Sequence, residues 1–77
     1  MNDIVFEAKL EVYGESKLYV VVTESDDGMY EVTDGNSKNI LSKEDIRSTL
    51  MDIREEYNGK YRGDIEWKVE KDTIGLL

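Results

Sequence analysis

Glu24, Asp26, Asp27, Glu31 and Asp34 fall within residues 18–37, twenty consecutive positions that hold no lysine or arginine. Clustered carboxylates can do three kinds of chemistry. A pair can divide acid and base roles across a scissile bond. A ring of oxygens can hold a hard cation. Spaced along a strand and its turn, carboxylates can also stand where a nucleic acid would present phosphates, and so engage a Lys/Arg groove quickly and salt-dependently. The remaining side chains narrow the choice. The chain has no His and no Cys. That removes Ser–His and Cys–His nucleophiles, thiolate or His-ligated zinc, and any disulfide. The six glycines are scattered at turn-like positions and build no phosphate loop. A chain of 77 residues with one helix and short strands leaves little room for a substrate cleft. These features predict a protein that is not an enzyme, uses no cofactor or metal, and works by being bound.

Two local patterns point elsewhere and are weakened by their neighbours. Asp34-Gly35-Asn36-Ser37-Lys38-Asn39 opens like a calcium loop, with oxygen donors in the first and third places. Lys38 then fills a ligand place, Asn39 stands where glycine is needed, and Asp45 replaces the bidentate glutamate. A solvated polar loop is the expectation. Arg54, Lys60, Arg62, Lys68 and Lys71 interleave with Tyr57, Tyr61 and Trp67, a composition seen in single-strand binders. Glu55, Glu56, Asp64, Glu66, Glu70 and Asp72 share that stretch, and Tyr57 and Trp67 are expected in the core.

The net charge is −8, which repels nucleic acid and anionic membrane alike. Residues 1–41 hold nine acids and three bases, and residues 42–77 nine acids and seven bases, so the negative field belongs mainly to the first half. An acidic surface also keeps a small protein soluble, and that plainer reading stands beside the functional one. No apolar run approaches the roughly 20 residues that span a bilayer. Met1-Asn2-Asp3 lacks the basic and apolar regions of a signal peptide. With no Cys, these features predict a cytoplasmic protein with no membrane partner.

The elements that must position these residues follow from periodicity. Ile4, Phe6, Ala8, Leu10 and Val12 alternate with Val5, Glu7, Lys9, Glu11 and Tyr13, the period of a half-buried strand. Gly14-Glu15-Ser16 predicts a turn, Leu18 to Glu24 a second strand, Ser25 to Met29 a second turn, and Met29 to Thr33 a third strand. A three-residue loop at the second turn avoids opposing Glu24 to Glu31, and the same loop length is expected at the first. The two loops pair Val12 with Leu18, Leu10 with Val20, and Val22 with Val32. Ser42 is the expected N-cap of a helix whose stripe is Ile46, Leu50, Ile53 and Tyr57. Asn58-Gly59 is the expected stop. Ile65, Trp67 and Val69 mark a last strand, and the tail ending in Ile74, Leu76 and Leu77 is either packed or loose. The order β-β-β-α-β predicts one α+β domain over residues 1–77. It is a two-layer fold, an antiparallel three-strand meander plus a C-terminal strand, with the helix on one sheet face. The last strand should run parallel to the first and third, beside one or the other, with the first favoured. Tyr13, Tyr19, Val21 and Met29 are then expected on the face opposite the helix, a candidate apolar anchor beside the acids.

This plan resembles the short acidic α+β proteins of bacteriophages and other mobile elements, including anti-CRISPR proteins and DNA-mimic inhibitors of host nucleases. The shared features are small size, the hairpin through Leu18-Tyr19-Val20-Val21-Val22 and Ser25-Asp26-Asp27-Gly28-Met29-Tyr30, one amphipathic helix, and the acid excess. The balanced second half departs from the most extreme DNA mimics. The resemblance implies an inhibitor that binds a basic, nucleic-acid-binding surface of a host protein in a bacterial cytoplasm, and it assigns no residue a role. The residues expected to do so are Glu24, Asp26, Asp27, Glu31 and Asp34 for charge and Tyr19, Val21 and Met29 for apolar contact. The alternative expectation is a small structural or regulatory module that self-associates, as a homodimer for example, through the open sheet face.

Overall fold

A computed structural model describes residues 3–25 and 28–77. Its elements are β1 (Ile4–Val12), β2 (Glu15–Glu24), β3 (Tyr30–Asp34), β4 (Ser37–Leu41), α1 (Lys43–Tyr61) and β5 (Ile65–Asp72). The strands form one sheet of order β4-β3-β2-β1-β5, antiparallel throughout. Helix α1 packs on one face, giving the expected two-layer α+β fold.

One hairpin is added to the expected meander. Asp34 to Asn39 is not a polar loop: the chain turns at Gly35-Asn36 and returns as β4, with Val32 opposite Asn39 and Tyr30 opposite Leu41. Gly35 takes φ 58, the left-handed backbone a two-residue hairpin requires. The extra strand reverses the chain direction before the helix. β5 therefore lies beside β1, as favoured, but runs antiparallel to it rather than parallel.

The flanks of the second turn meet in the expected register. Ser25 N–H donates to the Met29 carbonyl at 2.9 Å, Gly28 has φ 74, and Val22 faces Val32. Asp26 and Asp27 lie outside the described residues. The first turn is tighter than expected. Tyr13 and Gly14, at φ 53 and 79, join Val12 directly to Glu15. A register shift between Leu10 and Glu11 then sets Leu10 opposite Leu18 and Ala8 opposite Val20. The partners slide by two positions, so the same side chains still face the core.

Tyr13 does not stand on the open face. Its hydroxyl donates to the Arg62 carbonyl at 2.8 Å and its N–H to the Asp64 carbonyl at 3.0 Å. Gly63 makes room for it, since a Cβ there would lie 1.9 Å from the Tyr13 hydroxyl oxygen. Tyr13 thus ties the first turn to the α1–β5 connection.

The core lies between sheet and helix. Phe6, Ala8, Leu10, Val20, Ile46 and Leu50 are fully buried, and each large one contributes about 1.5–3 kcal/mol by leaving water. The Ser42 hydroxyl accepts from the Asp45 N–H at 3.2 Å and caps α1. The helix passes through Asn58-Gly59 and ends at Tyr61, where Arg62 at φ 49 donates its N–H to the Asn58 carbonyl at 3.1 Å. Asn and Gly cost up to about 1 kcal/mol in a helix. Tyr61 outweighs that by stacking on Tyr57, ring centres 5.8 Å apart, and packing on Leu10, Val12 and Ile65. The tail is packed: Leu76 is buried and Ile74 leans on the core. The Asp72 carboxylate holds the tail by accepting from the Leu76 and Leu77 N–H groups at 2.9 and 3.0 Å.

Candidate functional site

The fold divides the expected acidic set. Glu24 and Asp34 share the helix-side register of the β2–β3 hairpin but lie at opposite ends, Glu24 facing Tyr30 and Asp34 facing Val20. About 13 Å of strand separates such positions. Glu31 alternates onto the open face, where Lys38 on β4 pairs with it at 3.3 Å. Tyr19 and Val21 hold open-face positions in the middle of β2, and Met29 is half-buried beside the turn. Among the described residues, those expected to act together do not form one surface.

The open face is a lattice of charges rather than an apolar anchor. It carries Glu7, Glu11, Glu31, Glu66 and Glu70 against Lys9, Lys38, Lys68 and Lys71, as strand register and ion pairs place them. Lys9 meets Glu70 at 3.2 Å. The Tyr19 hydroxyl donates to the Glu7 carboxylate. Its pKa is pushed up to about 12, first by that hydrogen bond, then by burial and the charges of Glu7 and Glu70. Two rows are not complementary: Glu11 faces Glu66, and Lys9 faces Lys68.

Acid density instead collects at one end of the sheet. Glu24 N–H reaches the Asp3 carbonyl at 3.4 Å, which brings the start of β1 to the end of β2. Tyr30 faces Leu41, and Ser42 starts the helix directly afterwards. Asp3, Glu24, Glu44 and Asp45, all exposed, therefore share the end of the sheet where β2 stops and β3 starts. Lys43 is there too. Arg47 points its guanidinium at the Gly75 carbonyl, 2.7 Å away. Among the described residues no ion pair neutralises these four acids. Asp72 is a nearby carboxylate with an internal task. Burial pushes its pKa up, but the N–H groups of Leu77, Leu76, Gly75 and Ile74 outweigh this and hold it below its ordinary value. Glu44 and Asp45 stand outside the acidic stretch that the sequence singles out. The Gly35-Asn36 hairpin was the signal that returns the helix start to this end.

A shallow depression of about 300 Å³ lies between α1 and the start of β5, lined by Met51, Arg54, Glu55, Asn58, Gly63 and Ile65. Among the described residues, no three carboxylates converge as metal ligands, and no helix is long and apolar enough to cross a membrane. No family model, curated protein or solved structure matches the chain.

Proposed function

We propose that the protein is a non-enzymatic antagonist that binds a basic, nucleic-acid-binding surface of a host protein, such as a nuclease or CRISPR effector, and that it does so with its acidic end. The observation that carries this reading is the convergence of Asp3, Glu24, Glu44 and Asp45 at one end without ion pairing among the described residues. Asp26 and Asp27 follow Glu24 closely in sequence and lie outside the described residues. Glu31, neutralised by Lys38, and Asp34, at the far end, drop out of the binding set. The resemblance to short acidic phage proteins supports the class of target and a bacterial cytoplasm as the place of action. Self-association across the open face draws less support, because a stacked copy would have to desolvate the charge lattice and the Tyr19–Glu7 pair. The test is capture of host proteins on the immobilised chain, followed by competition. Release of the captured protein by duplex DNA and by salt supports the reading. A captured protein that stays bound under saturating DNA contradicts it.

A further inference from the structure

The free edge of β5 has a hydrogen-bonding phase and a charge pattern that match its own. Tyr13 N–H donates to the Asp64 carbonyl and Thr73 N–H to the Val5 carbonyl, which fixes how β5 hangs on β1. Antiparallel ladders alternate bonded and non-bonded pairs. Counting from Asp64, Glu66 and Lys68 turn their backbone groups toward β1. Ile65, Trp67 and Val69 turn theirs away, into the open edge. A register shift at Glu7/Ala8 leaves Glu70 without a partner on β1 and ends this regular stretch.

We infer that two copies of the chain pair antiparallel through β5, with Trp67 opposite Trp67 on the two-fold axis. In that register all three outward-facing residues find bonded partners, about six backbone hydrogen bonds in total. On the helix side Ile65 meets Val69 of the second copy, which covers a Val69 that is 40% exposed in the single chain. On the open face Glu66 meets Lys68 of the second copy, twice by symmetry. Within one chain these two residues oppose like charges, Glu11 and Lys9, a mildly destabilising arrangement. Neither has an ion-pair partner among the described residues. A second copy supplies both.

Other pairings fit worse. Moving the axis to Lys68 opposes Lys68 to itself and Glu66 to Glu70, and it leaves Ile65 without a bonded partner. The other edge, β4, offers less. Asp34 and Ser37 flank a two-residue turn as a bonded pair, so only Lys38 and Ile40 of that strand turn their backbone outward between bonded neighbours. The acidic end lies at the Asp72 end of β5. The two-fold points the two acidic ends in opposite directions and leaves both free, so this inference does not rest on the proposed function.

Sedimentation equilibrium and amide hydrogen exchange on the full chain, from micromolar to millimolar concentration, test the pairing. A monomer–dimer equilibrium is expected, with the Ile65, Trp67 and Val69 amides slowing as concentration rises. Because each copy carries −8, added salt should tighten the dimer by screening repulsion. Lys68→Glu and Glu66→Lys should each raise the dissociation constant about tenfold, and the double swap should restore it. Val69→Pro removes an outward N–H while sparing the bonds to β1, and should give a folded monomer by circular dichroism. A chain that stays monomeric at millimolar concentration, species larger than a dimer, or a double swap no tighter than the single variants would each overturn the inference.

Discussion

The two faces of the sheet are built on opposite principles. The helix-covered face is a continuous apolar layer, with Phe6, Leu10, Val20 and Val22 closed over by Ile46 and Leu50. The open face is ionic, with Tyr19 tied to Glu7 and lysines interleaved among glutamates. The covered face holds the fold, while the other face is left to solvent. Acid excess is thus not a single property of the surface. Much of it is cancelled by lysines on the open face, some is used internally by Asp72, and the part available to a partner lies where strand ends and helix start meet.

The sharpest way to break this contrast is to truncate one side chain on each face. Phe6→Ala should cost about 3–5 kcal/mol in denaturant unfolding, whereas Ile40→Thr, at a position 56% exposed, should stay within about 0.5 kcal/mol. Similar losses at both positions would erase the distinction. At the helix start, Ser42→Ala should cost about 1 kcal/mol by freeing the Asp45 N–H, measured by thermal melting.

Asp72 gives a pH signature. Its folded pKa lies below the unfolded one, so its contribution is present above the unfolded value and disappears as pH falls through the folded one. Asp72→Asn should flatten the acid limb of the stability curve and speed exchange of the Leu76 and Leu77 amides. The smallest effect belongs to the open face. Tyr19, raised to about 12 in the fold, stays protonated where the unfolded chain ionises near 10. Its contribution is complete below the unfolded value and is lost as pH rises between the two. Tyr19→Phe should flatten the alkaline limb of the stability curve between pH about 10 and about 12.

Most of the covered face was legible in the sequence because period-two and period-3.6 patterns report burial directly. Slipping the first hairpin by two residues left Ala8, Leu10, Val12, Leu18 and Val20 on the expected face, whereas a register shift between Ile4 and Phe6 exposes Ile4 and buries Val5 in its place. β4 was not legible: Ser37-Lys38-Asn39 precede its only apolar pair, Ile40-Leu41, and the strand is too polar for alternation to show. Missing it reversed the direction of β5 and hid the return of the helix start to the Glu24 end. The site was less legible than the fold for the same reason. Glu24, Glu31 and Asp34 are close in sequence, but alternation and strand length send them to two faces and two ends. Glu44 and Asp45 are distant in sequence and brought near by topology.

The most direct test compares two double reversals that change net charge equally. One is Glu24→Lys with Glu44→Lys at the acidic end, the other Glu31→Lys with Asp34→Lys in the same base-free stretch of sequence. Each is titrated with an oligoarginine peptide across a salt series. The acidic-end variant should lose about tenfold in affinity and much of its salt dependence, while the other stays near the unaltered chain. Equal losses in both would show that binding follows total charge and not the surface assembled by the fold.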